Sequence, residues 1–403
     1  MNPATTDLKR CKRCHLPETY ETIEFDGEGI CNICRSTEHK KNVDWAERKR
    51  LLDALVAKYR DKGDYDCIVP FSGGKDSTFQ LYYLMTEYKL KPLVVRFNHG
   101  FMRPTIQKNN ERTFKKLGVD VLEFTPNWKI VKRVMLEAFR RKTDFCWHCH
   151  SGIYTYPLRV ALKFDVPLIF WGEPLAEISH YYDYLKDEIE YEDETKFNMC
   201  RNLGITAEDM YGMIHSEEDP VDRRDLVPYT YPPLKDLKKL AYCSVCLGSF
   251  IPWDYTTNTE FIKKELGWEA DELEGVPSEI NGHGEKIECF MQGARDYIKF
   301  LKRGYSRITQ ISAFHIRNDR MKPEEALPFI AEEGKRPPSL DVLLGYLGLE
   351  EEEFNEIVKS TEVHPYHHDY SHVEHANKTW DYASFYREKN DGKKRPPGLR
   401  VLK

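Results

Sequence analysis

The chain has 403 residues, 31% of them charged and 40% apolar, with a formal net charge of −6. This is an ordinary soluble globular composition, long enough for two or three folding units. It argues against a bulk basic nucleic-acid binder, leaving room only for a local basic groove, and no run approaches the roughly 18 apolar residues of a membrane span.

The opening stretch, "MNPATTDLKRCKRC", has no apolar signal core, so a cytoplasmic location is expected. In that compartment the eleven cysteines are read as metal or redox ligands before disulfides. Cys11 and Cys14 form one C-x-x-C pair and Cys31 and Cys34 another, sixteen residues further on. This is zinc-ribbon spacing: two knuckles offer four thiolates to one tetrahedral ion. The segment between them is too small to fold unaided, and structural zinc would supply the missing core.

"DYDCIVPF" (64–71) reads as a buried strand, and "KDSTFQLYYLMTEY" (75–88) repeats apolar groups at a helical period. Ser72-Gly73-Gly74 joins them. Adjacent glycines let the backbone turn sharply and expose N–H groups, and the helix start adds its own donors and partial positive charge. With Lys75, Ser72 and Ser77 the loop suits a phosphate or pyrophosphate. It is not the Walker loop, which needs four residues between its glycines.

Further along, "KPLVVRFNHG" (91–100), "VDVLEFTP" and "VPLIFWGEP" (166–174) read as strands, alternating with helices such as "WKIVKRVMLEAFRRK". The alternation predicts a parallel sheet with helices on both faces and ligands at the carboxyl ends of the strands, where Ser72, Asn98, Gly172 and Glu173 fall. "CWHCH" places Cys146 and Cys149 ahead of a helix, and "YCSVC" supplies Cys243 and Cys246. Three readings stay open: reduced thiols near the nucleotide, with Cys149 or His148 touching substrate; a second zinc; or an iron–sulfur cluster. Residues 181–226 are acidic, read either as a solvated insertion or as a lid or docking surface. In 285–330, a helical region, Lys302, Arg303, Arg307 and Arg317 form a basic cluster suited to phosphates, set against the plainer reading of a solvated face. His315 has the intrinsic pKa for proton transfer, or is a packed core histidine. "HPYHHDYSHVEH" (364–375) lacks fixed ligand spacing and is not read as a metal site, and the last residues are a polar tail.

S-G-G-K-D-S resembles the PP-loop of the N-type ATP pyrophosphatases, which cleave ATP to AMP and pyrophosphate. That resemblance implies that the loop grips the β,γ-phosphates, that Asp76 helps place magnesium, and that Phe97 and Asn98 lie at the adenine. More specifically, "CKRCHLPETYETIEFDGEGICNICR" (11–35), "FSGGKDST" (71–78), "CWHCHSGIYTYPLRVA" (146–161), "PLIFWGEP" (167–174), "LGSFIPWD" (247–254) and "YIKFLKRGYSRITQISAFHIRNDRMKPEEA" (297–326) resemble the N-acetyl sugar amidotransferase family of bacterial surface-polysaccharide and nonulosonic-acid pathways. Cys243 and Cys246, and the chain beyond 365, depart from that pattern.

The resemblance implies an α/β fold: a Rossmann-like parallel sheet of PP-loop type with an N-terminal zinc ribbon and a C-terminal helical region. The expected divisions are 1–45 for the knuckle, 46–256 for the PP-loop domain, 257–375 for a helical substrate region and 376–403 for the tail. It further implies conversion of a sugar's N-acetyl group to an acetamidino group. AMP is transferred to the amide oxygen and ammonia then attacks the carbon. Lys75, Asp76 and His315 are the expected catalytic residues, and a basic patch of Lys302, Arg303, Arg307 and Arg317 the expected contact to a nucleotide-linked sugar. No glutaminase segment is recognised in the chain, and the resemblance implies that a partner glutaminase supplies ammonia. The alternatives are a PP-loop tRNA thiolase using the middle cysteines, which the acidic net charge disfavours, and a non-enzymic zinc-ribbon adaptor, which the intact Lys75, Asp76 and Ser77 disfavour.

Overall fold

The computed structural model describes residues 8–177, 184 and 189–370. The described residues fall into two compact units, one within 1–43, 175–188 and 270–403, the other within 44–174 and 189–269. The knuckle and the C-terminal helices, expected as separate domains, thus share one unit.

In chain order, that shared unit begins with the cysteine segment and α1 (Asn32–His39), and the α/β unit follows. It runs α2 (Trp45–Tyr59), β1 (Cys67–Pro70), α3 (Lys75–Glu87), β2 (Pro92–Phe97), α4 (Pro104–Leu117), β3 (Asp120–Phe124), α5 (Trp128–Lys142), α6 (Trp147–Phe164), β4 (Leu168–Trp171), α7 (Glu194–Cys200), α8 (Ala207–Ile214), α9 (Leu234–Leu240), β5 (Cys243–Cys246) and α10 (Tyr255–Leu266). The sheet order is β3-β2-β1-β4-β5, and every neighbouring pair is parallel. β1 and β4 are buried at every position. They read as unbroken apolar runs because helices cover both faces. Val69, Val94, Phe170 and Val245 point to one core with Leu52, Leu81 and Trp253. Ile68, Leu93, Val95 and Ile169 point to the other, with Leu158 and Ala161 of α6.

The chain leaves β1 for β2 and β3 on one side and returns to β4 and β5 on the other. The order therefore reverses between β1 and β4, which opens a crevice beyond their carboxyl ends. β5, read from sequence only as a cysteine pair, does not leave its outer edge bare. The Glu192 N–H donates to the Ser244 carbonyl (3.0 Å), and the Cys246 N–H to the Glu190 carbonyl (3.0 Å). Covering an edge in this way prevents pairing with another chain.

This edge segment belongs to the acidic stretch, and it is not a solvated excursion. Lys196 is 1% exposed, with Nζ 2.7 Å from Glu192 Oε1 and 3.2 Å from Glu190 Oε2. The Arg201 Nη2 reaches Glu192 Oε1 at 2.7 Å, and its guanidinium stacks 4.1 Å from the centre of the Tyr154 ring. Two acids and two bases meet, so these charges are buried in mutual pairs. Residues 181–183 and 185–188 of the stretch lie outside the described residues.

The helical part of the first unit comprises α11 (Ser278–Asn281), α12 (Gln292–Arg303), α13 (Arg307–Arg317), α14 (Pro323–Ile330), α15 (Ser339–Leu347) and α16 (Glu351–Lys359). Pro323 opens α14 in its first turn, as its fixed φ favours. α12 ends at Gly304 (φ +70°), where a Cβ would lie 2.6 Å from the Tyr366 ring. The start of α13 is held from outside by Glu333. Its carboxylate accepts from the Ser306 N–H (2.9 Å) and hydroxyl (2.7 Å), and from the Thr309 N–H (2.8 Å) and hydroxyl (2.9 Å). Glu333→Ala removes a charged cap from a helix N-terminus and leaves these donors without it. A loss of about 2 kcal/mol in denaturant unfolding of the full chain is expected.

Candidate functional site

Gly73 carries φ +89°, and a Cβ there would sit 2.1 Å from Asn110 Oδ1 and 2.7 Å from Ile106. Only glycine fits that turn. Ser77 braces it from one turn along α3, accepting from the Gly73 N–H and lying 3.2 Å from the Ser72 hydroxyl, which accepts in turn from the Gly74 N–H. α3 begins at Lys75 with Gly74 as its cap and no side-chain capping bond. Its first N–H groups thus face the crevice without a side-chain acceptor, the arrangement that holds anions at helix starts. We expect Gly73→Ala to fold and to lose nucleotide-dependent stabilisation. A thermal shift with ATP and magnesium should be several degrees in the parent chain and near zero in the variant.

Lys75 is buried, its Nζ 2.6 Å from Asp76 Oδ2 and 4.7 Å from the centre of the Tyr255 ring. The other Asp76 oxygen accepts from Trp253 Nε1–H at 3.3 Å. Trp268 Nε1–H donates to the Gly73 carbonyl at 3.2 Å. Three aromatic residues from 253–268 therefore fix the loop's carbonyl, its carboxylate and its ammonium. None of the three carries a local sequence signal for that role, although "LGSFIPWD" contains Trp253. Gly172, after β4, lies against the same turn: a Cβ on it would be 3.3 Å from the Asp76 carbonyl oxygen. Glu173 follows directly, so the ends of β1 and β4 meet as expected.

At the end of β2, Asn98 accepts from the Gly100 N–H (3.0 Å) and donates to the Thr125 hydroxyl (3.2 Å). Phe97 turns its ring inward against Gly152, Phe124 and Tyr229, so its backbone rather than its ring faces the crevice end of the strand. Beside them sits a histidine that the sequence did not single out. His99 Nδ1 accepts from the Phe101 N–H (3.3 Å), which leaves the proton on Nε2. His148 Nε2–H donates to the His99 carbonyl (3.3 Å). Burial holds the His99 ring at about 3 and the His148 ring at about 4, so both are neutral near pH 7.

The four cysteines of the first unit converge. Cys11 Sγ and Cys34 Sγ are 3.9 Å apart, Cys14 Sγ and Cys31 Sγ 3.7 Å, and all four ligand atoms lie within 4.8 Å of one another. A tetrahedron with Zn–S bonds of about 2.3 Å has edges of about 3.8 Å. The donor set therefore fits a zinc ion and leaves no open coordination position. Arg317, at the end of α13, acts electrostatically on Cys14 and Cys34, a counter-charge beside a four-thiolate site.

Cys146, Cys149, Cys243 and Cys246 do not form a second such group among the described residues. Cys146 stands at the N-cap of α6, while Cys246 is buried beside Lys196 Nζ at 3.8 Å. Burial pushes the Cys246 thiol up, away from the thiolate that a metal requires.

The basic cluster is occupied with its own unit. Arg303 Nη1 donates to the Thr19 carbonyl (2.5 Å) and its Nη2 lies 3.1 Å from Glu21, so it ties α12 to the knuckle. Arg307 is buried against Asp296. Lys302 is half-buried near the end of α12. These contacts account for Arg303 and Arg307 locally, because each finds an acceptor in its own unit that a charge count cannot reveal. His315 Nε2–H donates to the Ile280 carbonyl (2.9 Å), with its ring edge-on to His283. The His-rich stretch beyond Tyr370 lies outside the described residues.

Residues 284–385 match the family described as "LPS biosynthesis protein WbpG-like, C-terminal domain". The match takes in α12 to α16 and supports a surface-polysaccharide biosynthesis family and a role in glycan biosynthesis. The chain is also 25% identical over 214 residues to the uncharacterized protein MJ1599 of Methanocaldococcus jannaschii, covering 50% of this chain and 76% of that protein. Among the described residues, no helix is long and apolar enough to cross a membrane.

Proposed function

We propose that the chain is an ATP-dependent amidotransferase of surface-glycan biosynthesis. It converts an N-acetyl group of a sugar, carried on a nucleotide, to an acetamidino group. One observation carries this reading: a braced S-G-G-K-D-S loop at the sheet's reversal point shares a chain with a WbpG-like segment. An amide carbonyl is a poor electrophile. Transfer of AMP to its oxygen gives an O-adenylyl imidate and releases pyrophosphate. Ammonia from a partner glutaminase then adds to the imidate carbon, and AMP leaves with the C–O bond. The N–H groups at the start of α3 and Lys75 stabilise charge on the departing pyrophosphate. Asp76 would hold magnesium against the phosphates, where the ion neutralises charge. Neutral His99, with its proton on Nε2, offers a donor at the adjoining strand end.

The test is pyrophosphate release from the full chain with ATP, magnesium and ammonium, across a panel of N-acetylated sugar nucleotides. Stimulation by one sugar, with an acetamidino product by mass spectrometry, is the expected result. Stimulation instead by tRNA and sulfide would replace this reading with the thiolase.

A further inference from the structure

α12 turns two charged groups to one face: Asp296 and Lys299 are three residues apart and therefore neighbours on the helix. Arg307, at the start of α13, meets them there. Its Nη2 lies 3.0 Å from Asp296 Oδ1 and its Nε 3.3 Å from Oδ2, so both carboxylate oxygens serve one guanidinium. Lys299 Nζ stands 3.7 Å from Oδ1, and its hydrogen bond, 2.9 Å, goes to the neutral Gln310 Oε1. One carboxylate thus faces two cations. The less well matched cation is also the one that reaches the surface: the Lys299 side chain is 22% exposed, against 6% for Asp296 and 9% for Arg307.

The charged groups acting on Lys299 are Arg307 from α13, Asp296 and Arg295 from α12, and Glu21 from the knuckle. Glu21 is itself engaged by Arg303, and Glu285 acts on Arg307 from the segment before α12. Burial first, and then repulsion by Arg307 beyond the attraction by Asp296, hold the ammonium at about 7. Such a group is stabilised by an anion brought to its exposed end.

We infer that Lys299, backed by Gln310 and Arg307, is an anion subsite for an oxyanion of the substrate, either a phosphate or a sugar carboxylate. The subsite lies within the WbpG-like segment, and Arg307 is its one member that charge clustering had suggested. It rests on the proposed function only for the molecule that owns the anion.

The probes are sulfate and glucuronate, both fully ionised across the range used. Each is titrated calorimetrically into the full chain carrying Lys75→Ala, which removes the lysine of the other anion site. Runs in two buffers of different ionisation enthalpy count the protons taken up. We expect saturable binding near pH 6. It should weaken about tenfold per pH unit above 7, with uptake approaching one proton per anion. Preference for sulfate assigns the subsite to phosphate, and preference for glucuronate to a carboxylate. Adding Lys299→Met should abolish the binding. Adding Lys299→Arg should keep the binding and flatten its pH dependence. Binding unaltered by Lys299→Met, pH dependence surviving Lys299→Arg, or no saturable binding of either probe would overturn the subsite. Binding that follows this pattern in a protein that releases no pyrophosphate would sink the enzymic reading and leave the subsite standing.

Discussion

Lys75→Ala should lower sugar-stimulated pyrophosphate release by about two to three orders of magnitude, with the fold retained. The expectation follows from where the ammonium sits. The Lys75 side chain is 3% exposed, between the Asp76 carboxylate and the face of Tyr255, at the start of a helix whose first N–H groups have no side-chain cap. A charge held in that setting is pre-oriented toward an anion, and its effect grows as negative charge develops on the leaving pyrophosphate. Loss should therefore appear mainly in kcat rather than in KM. Lys75→Arg should not rescue, because a planar guanidinium is larger than the ammonium that fits beneath the Tyr255 ring. Trp253→Phe is a milder probe: it keeps an aromatic ring in the core and removes the N–H on Asp76 together with part of the indole, so a raised magnesium requirement is expected. Full turnover in Lys75→Ala would remove the loop from the chemistry.

What could be read in advance was what neighbours in sequence determine. The S-G-G-K-D-S turn needs only a buried run before it and an amphipathic run after it, and both are visible between residues 64 and 88. The two C-x-x-C pairs likewise carry their own geometry. The partners of the loop do not. Trp253 meets Asp76 from 177 positions away, and Trp268 meets Gly73 from 195. Tryptophans and tyrosines in a chain so rich in aromatics read as core, and these are indeed buried. Only the fold shows that their polar edges are turned to the loop.

The same limit governs the charges. Arg303 and Arg307 suggest a phosphate patch by composition, but α12 and the knuckle supply Asp296, Glu21 and the Thr19 carbonyl to satisfy them. Lys299 drew no notice, because one lysine on a helix ordinarily points to water. β5 was hidden for another reason. Four residues with two cysteines are too short for a clear period, and its strand character comes from pairing with β4.

Removing the metal from the knuckle should unfold more than the knuckle. The four cysteines share a buried cluster with Leu16 and Ile33 and with Ala313, Ile316 and Ala326 of α13 and α14. Around that cluster, His15 Nε2–H donates to the Pro323 carbonyl (2.9 Å), and the Thr19 hydroxyl to the Arg303 carbonyl (2.6 Å). Two backbone donors are also aimed at sulfur: the Cys31 N–H at Cys11 Sγ (3.2 Å) and the Cys34 N–H at Cys31 Sγ (3.4 Å). They are suited to thiolates and are poorly used by thiols. Without an ion, four thiolates in one small volume repel, and protonating them weakens the N–H contacts. Zinc binding in such sites contributes on the order of 10 kcal/mol, comparable to the whole stability of a domain. Purified protein should hold one zinc per chain, and Cys14→Ser or strong chelation should remove it. Denaturation of the first unit should then fall to much lower urea, followed by exchange of amides in α13 and α14. Cobalt in place of zinc should give the spectrum of a four-sulfur tetrahedral site that substrate leaves unchanged, since four thiolates leave no position for a reacting group. A cobalt spectrum that shifts on adding sugar nucleotide would make the centre catalytic instead, and the closed four-thiolate geometry would then have to open in solution.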